Sequence, residues 1–474
     1  MMNNSMSIEK TIGPRLVYKS TVKTKCIFLY LALWMIGVAV ITALGGWASK
    51  NFYLSILTMI YWTIVIIPII ITEGRWYHPL MLQMIYKIPE VASLGTRAIG
   101  YVEPNYNFRN YISNGDAIKA YAFSVFITCL GLIIEYIVVC AYKPGNLKRK
   151  RLVLKNSKGI AVLFAFSVLC FLLLMHQLGG LFYVLRHYGE RLVEFSSRTS
   201  AYLRYFIKYG ILCVFYYYLL DRKNVFYFTG IILILIYIII GERGGLISTI
   251  LIPFSIVYML KKEKNFSISQ ITLGGVGLTF IYVIFGIMRD TTQNVTLDYF
   301  LRNIVMSLIH EFSRILHFVI STELIWMVCN GGIGHTYGKP LLNILVAPFP
   351  RSIFSWKPKY IAESFYVGSL ILGAEKRIYG LPPGPFAYGY LNFGFLGLII
   401  FAIICGRFMG YMYNSLIGEY QKRRERIPNG NILLYAVLLP FSMEILSTEC
   451  QINILIYLIG ITFVFYTARD RRKS

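Results

Sequence analysis

The sequence predicts an all-α fold, a polytopic membrane helix bundle of about 12 transmembrane helices with a large external loop. Three observations predict it. Hydrophobic residues make up 57% of the 474-residue chain and charged residues 15%, where a soluble protein carries about 25% charged residues. Apolar runs recur from residue 26 to residue 468, and each is long enough, at about 1.5 Å per residue, to cross about 30 Å of hydrocarbon. Short segments rich in Lys and Arg separate them, the pattern that orients membrane proteins. The net charge of +25 has the sign of a nucleic-acid footprint. Its clustering in the short loops assigns it to orientation instead, and no nucleic-acid partner is expected.

The clear spans are 26–48, 51–72, 118–142, 159–179, 202–220, 225–241, 245–260, 271–288, 386–410, 431–446 and 450–468. The first is too long for a signal-peptide core and reads as a retained span. Lys10, Arg15, Lys19, Lys23 and Lys25 place the N-terminal arm in the cytoplasm. Lys143, Lys148, Arg149, Lys150, Arg151, Lys155 and Lys158 place the 143–158 loop there too. An odd number of clear spans separates the two. Parity is restored by a further span over 78–100, opened by Pro79 at a first helical turn. Its moderate hydropathy predicts packing against protein rather than lipid. The basic segments Asp221–Asn224, Lys261–Lys264, Lys422–Arg426 and Arg469–Lys473 then all fall inside.

This divides the chain into three parts. Residues 1–288 form an N-terminal bundle of about nine spans, 289–385 a large external loop, and 386–474 a C-terminal three-span bundle. Within the loop, Ile304–Cys329 is apolar. If it crossed, the basic cluster at 422–426 would be external, so it reads as a helix on or partly in the outer interface. The eight cysteines form no CxxC pair and read as small packing residues.

Four constellations carry chemistry. GERGG (Gly241–Gly245) sets Glu242 and Arg243 in a glycine-bounded turn between apolar runs. Such a turn admits a ligand close to the backbone; it is equally the form of an interfacial turn whose charges snorkel to water. The external loop holds nine Lys/Arg and six Asp/Glu. Arg289, Arg302, Arg314, Arg351, Lys357, Lys359 and Arg377, set among aromatics and glycines, suit an anionic, sugar-bearing ligand. His310, Arg314, His317 and Ser321 share one helical face, with Glu311 beside Arg314. That stripe lines a cleft or faces water on an interfacial helix, and His and Glu are the usual general bases. In PFPRSIFSWKP (Pro348–Pro358), prolines stiffen the backbone around Arg351, while Trp356 and the phenylalanines offer stacking faces.

Absences narrow the reaction. There is no P-loop and no zinc spacing, and the five aspartates form no DxD. Neither a metal nor a cofactor is expected, so Arg and Lys would hold any phosphate. Charges within the clear spans are few, Glu135 and Glu444 among them.

These pieces resemble the bacterial O-antigen polymerases, the oligosaccharide repeat-unit polymerase family. GERGG is similar to the family's Gly-x-Arg-Gly turn. PFPRSIFSWKP is similar to its Pro-Arg-x-x-x-Pro-x-Lys-Pro stretch. LPPGPFAYGYLNFGFLGLIIFAIICGRFMG (381–410) resembles its glycine-rich entry into a late span with Tyr-x-Asn-Phe-Gly, and a large external loop precedes that span. Together they cover about a third of the chain. Many members place Glu where Tyr388 stands here, so a carboxylate at that site is absent or supplied from elsewhere.

The resemblance implies a GT-C-like glycosyltransferase in the bacterial inner membrane, with its active site facing the periplasm. A glycan on undecaprenyl diphosphate would pass to a sugar hydroxyl of a new lipid-linked repeat unit. Partners would be that lipid-linked oligosaccharide, membrane lipid, and the chain-length regulator and flippase of the same pathway. Arg243, Arg289 and Arg351 would bind diphosphate, with Arg314 and Lys357 beside them. His310 or Glu311 would be the base, with His335 in reserve, and Tyr390 and Asn392 would shape the cleft mouth. The rival readings are an O-antigen ligase and a lipid-linked oligosaccharide flippase.

Overall fold

A computed structural model describes residues 25–37, 52–105, 108, 112–143, 151–155, 157–186, 198–240, 246–264, short pieces of 266–277, 316–346, 356, 363–372 and 381–467. Among these residues there are helices and turns but no strand. In lipid this is the expected outcome, because a helix satisfies its own backbone groups without water. Among the described residues six helices are long and apolar enough to cross a membrane: Phe52–Ile71, Asn114–Ala141, Gly159–Gln177, Lys223–Ile240, Pro385–Arg423 and Cys450–Thr467. The chain is a helical membrane protein.

In chain order the described helices are α1 (Lys25–Gly37), α2 (Phe52–Ile66), α3 (Pro68–Ile71), α4 (Pro79–Ala98), α5 (Asn114–Ala141), α6 (Gly159–Gln177) and α7 (Leu181–Arg186). Then come α8 (Arg198–Ile207), α9 (Tyr209–Leu219), α10 (Lys223–Ile240), α11 (Ile252–Lys262), α12 (Leu316–Cys329) and α13 (Lys339–Val346). Last are α14 (Glu363–Leu372), α15 (Pro385–Tyr413), α16 (Glu419–Arg423), α17 (Asn429–Ser442) and α18 (Thr448–Thr467).

Three spans differ in detail from the sequence reading. The run 202–220 is two helices, α8 and α9, which meet at Lys208, whose ammonium donates to Asn453 Oδ1 at 2.6 Å. The run 245–260 begins with a π-helical turn, Leu246–Leu251, just ahead of Pro253. Proline lacks an N–H and crowds the carbonyl of the preceding turn, which favours the wider winding. The run 386–410 belongs to a helix broken at Phe393 and Gly394.

Pro79 does open a helix, α4, with His78 Nδ1 accepting the Leu80 N–H. This helix is largely buried and packs on α2, with α12 and α15 on other sides. Leu316–Cys329 also sits inside the bundle rather than on its surface. Phe318, Thr322, Glu323, Leu324 and Ile325 are buried, and α12 packs against α5 and α15. An interfacial helix would keep its polar face in water, whereas Thr322 and Glu323 lie in protein.

The tightest pairing is α5 with α15, and small residues create it. A Cβ on Gly131 would lie 2.5 Å from Phe386, and one on Gly410 2.8 Å from Tyr142. Glycines of this kind let backbones close in where no hydrophobic force drives helices together.

Candidate functional site

The site is built on the break in α15. Phe393 has φ −142°, ψ 24° and Gly394 φ 61°, ψ −142°. The second pair of angles is open only to glycine. The break reverses the chain: the half-helix 385–392 folds back along 395–413 as a hairpin. A Cβ on Gly397 would fall 2.0 Å from the Gly389 carbonyl oxygen, so the two strands of the hairpin touch backbone to backbone. The Tyr388 and Phe401 rings meet edge to face at 5.8 Å, further along the same contact.

A helix that stops inside protein leaves carbonyls without partners. Here the segment His335–Tyr337 supplies them. The Thr336 N–H donates to Leu391 O at 3.1 Å and the Tyr337 N–H to Asn392 O at 3.0 Å. The Thr336 hydroxyl donates to Asn392 Oδ1 at 2.8 Å, and Asn392 Nδ2 donates to Tyr388 O at 2.8 Å. His335 Nδ1 lies 3.4 Å from Leu391 O. A carbonyl can only accept, so in this contact Nδ1 would carry the proton. Gly338 gives Phe393 room, since a Cβ there would meet the Phe393 ring at 2.9 Å.

Three residues singled out from sequence therefore converge. His335 lies edge to face with Tyr390, ring centroids 6.0 Å apart, and Asn392 brackets both segments. Tyr390 in turn packs on Phe123 of α5 and on Phe395. Asn392 is fully buried with both ends of its amide engaged, so its place is to hold the turn. Arg243, Arg289, His310, Glu311, Arg314, Arg351 and Lys357 lie outside the described residues.

At the other end of the half-helix is a small cavity. Its lining includes Glu363, Pro383, Gly384, Tyr388, Glu444 and Ser447. The Ser447 hydroxyl donates to Glu363 Oε1, and the Leu381 N–H donates to Ser364 O at 2.9 Å. The helix dipole at Pro385 favours negative charge there. Two carboxylates thus flank Tyr388, the position at which the sequence itself carries none. Among the described residues no group of three His, Cys, Asp or Glu is placed to hold a metal ion.

A second polar centre escaped the sequence reading. Gln83, Lys87, Glu90, Ser93 and Arg97 lie on one side of α4. Lys87 pairs with Glu90 at 2.7 Å, the Tyr61 hydroxyl donates to Glu90 at 2.6 Å, and Gln83 Nε2 donates to Glu135 Oε2 at 3.0 Å. Arg97 is fully buried; it donates to the Ser93 carbonyl at 2.8 Å and lies over the Tyr121 ring. The signal was present as the i, i+4, i+7, i+14 spacing of Gln83, Lys87, Glu90 and Arg97. No family model, no curated protein and no solved structure matches the chain.

Proposed function

We propose that this chain is a membrane glycosyltransferase that polymerises undecaprenyl-diphosphate-linked oligosaccharide repeat units in the bacterial inner membrane. Its twelve spans would keep both termini in the cytoplasm and its site facing the periplasm. The observation that carries the reading is the hairpin of α15. The Tyr-x-Asn-Phe-Gly stretch behind the family resemblance is the stretch that reverses the helix and gathers His335, Tyr390 and Asn392. Irregular backbone inside a membrane protein is tolerated where it is buried in protein or lines a cavity, which is where substrate sites form.

In the reaction, an acceptor sugar hydroxyl attacks the anomeric carbon of the donor and the bond to the diphosphate oxygen breaks. The departing diphosphate keeps the electron pair. Arg243, Arg289 and Arg351, with Arg314 and Lys357, stabilise that charge. His310 or Glu311 takes the hydroxyl proton, with His335 Nε2 in reserve.

The test is the lipopolysaccharide ladder of a strain lacking the gene. A single capped repeat supports the polymerase. A full core without O-antigen supports the ligase instead. Arg243→Ala should abolish long chains at normal protein level, with Arg243→Lys only partly active, because Lys lacks the planar bidentate fork. Purified protein with synthetic lipid-linked repeats should work in EDTA; loss of activity restored by magnesium would overturn the cation-only scheme.

A second reading, a transporter of lipid-linked oligosaccharide, is favoured by one observation, the charged side chains of α4 and α5 buried in the bundle. Accumulation of intermediates inside the cell would support it.

A further inference from the structure

The cluster between α2, α4 and α5 does not close on itself. Its charged members are Lys87, Glu90 and Glu135, joined by Tyr61 and Gln83. One cation against two carboxylates leaves one negative charge. Lys87 is held by Glu90, and Glu90 also takes the Tyr61 hydroxyl. Glu135 receives only the neutral amide of Gln83, on Oε2. Its Oε1 has no hydrogen-bond partner, and neither has the hydroxyl of Tyr136. Glu135 is fully buried and Tyr136 nearly so, and the two are electrostatic neighbours.

The other groups facing Glu135 do not supply the missing charge. Cys405 of α15 is a neighbour without positive charge. Glu444, beyond α17, is another acid. An uncompensated charge in such an interior costs several kcal/mol. A buried carboxylate oxygen left open is what a small cation would take.

We infer that Glu135 forms a binding site for one exchangeable monovalent cation, a proton or a sodium ion, inside the helix bundle. The site goes beyond glycosyl transfer and does not depend on it. Its occupancy reaches the half-helix of α15 through one side chain. Lys87, the cation next to Glu135, lies 5.8 Å over the ring of Phe386, which in turn packs against Gly131 of α5. A change of charge at Glu135 therefore acts on the first turn of the hairpin that carries Tyr388, Tyr390 and Asn392.

The test uses the full chain purified in detergent, a fluorescent hydrophobic carbodiimide, which modifies protonated carboxyls in apolar surroundings, and peptide mapping by mass spectrometry. Sodium is varied against choline at constant ionic strength, and pH is varied separately. Labelling of Glu135 that is lost on adding sodium identifies a sodium site. Labelling that ignores sodium and is lost as pH rises identifies a proton site. Either result supports the proposal. Absence of labelling at every pH without sodium, or labelling that responds to neither variable, overturns it. Glu135→Gln keeps an amide partner for Gln83 and removes the charge. Its melting temperature should no longer respond to the ion that acts on the parent chain, and a retained response would equally overturn the assignment. None of these measurements reads glycosyl transfer, so their failure is separable from failure of the polymerase reading.

Discussion

Helices α4 and α10 have similar lengths, and their sequences point to opposite fates. α10 (Lys223–Ile240) is almost wholly apolar past its first turn, yet Tyr227, Phe228, Ile231, Ile234 and Leu235 are exposed. α4 carries Gln83, Lys87, Glu90 and Arg97; Gln83, Lys87 and Arg97 are buried along with its apolar residues, and Glu90 is partly buried. A soluble protein would be built the other way round. In a bilayer, the apolar surface of α10 meets lipid at no cost. The charges of α4 are tolerable only where other side chains answer them. On these two helices the exposed side chains are apolar and the buried charges are answered by protein.

Four measurements sharpen or break this contrast. The largest effect is expected at α4. Lys87→Ala leaves the partly buried Glu90 without its cation and should destabilise the purified protein by about 3 kcal/mol, read as a large fall in melting temperature. Ile231→Ala on α10 should leave the melt unchanged. Replacing the group together, as Lys87→Met, Glu90→Met and Tyr61→Phe, should recover most of the loss. If Lys87→Ala and Ile231→Ala behave alike, the contrast fails.

The converse change on α10 comes next. Ile231→Lys puts a charge near the middle of an exposed apolar helix, and it should disfavour membrane insertion by about 2.5–3.5 kcal/mol in a glycosylation-reporter assay. Full insertion would mean that this face is covered by protein.

The bracket at the α15 turn is polar and buried like α4 but uncharged, so its effect should be intermediate. Thr336→Val removes the hydroxyl that serves Asn392 Oδ1, and the stranded buried carbonyl should cost about 1–3 kcal/mol. Thr336→Ser, which retains the hydroxyl, should restore stability. A Val variant as stable as the parent would show that the bracket does not hold the turn.

The smallest effect is expected at a pair whose carboxylate is exposed. The Lys261 ammonium, 2.6 Å from Asp221, holds that carboxyl below the usual carboxylate range. A carboxyl depressed in the folded state contributes stability above its unfolded value and loses it as pH falls through the folded one. Asp221→Asn should therefore lower the melting temperature slightly at neutral pH and not at all in acid, in matched melting curves. An unchanged gap between the two curves across that range would exclude the pair as its source.

Much of the fold was legible because lipid imposes a simple rule. A span must be long, apolar and self-bonded, so α2, α5, α6, α10 and α18 stand out as runs of the right length. The parity of basic loops even pointed to α4, whose composition hides it. Of the candidate site residues, His335, Tyr390 and Asn392, named through the family resemblance, lie near one another in the structure. Glu363 and Glu444, more than eighty positions apart, gave no sign of sharing a cavity at Tyr388.

By itself the sequence determined a helical membrane protein and the position of the six long apolar helices among the described residues. The tertiary structure decided the rest. Whether Gly389 and Gly397 lie along one continuous helix or face each other across a hairpin depends on two residues of backbone torsion, and on Thr336 arriving to cap the end. Whether a charge on α4 meets lipid or Glu135 depends on how that helix is rotated against α2 and α5. Helical spacing says which residues share a face; only packing says what that face meets, because Glu135, Tyr61 and Thr336, which meet Gln83, Glu90 and Asn392, come from segments far away in the chain.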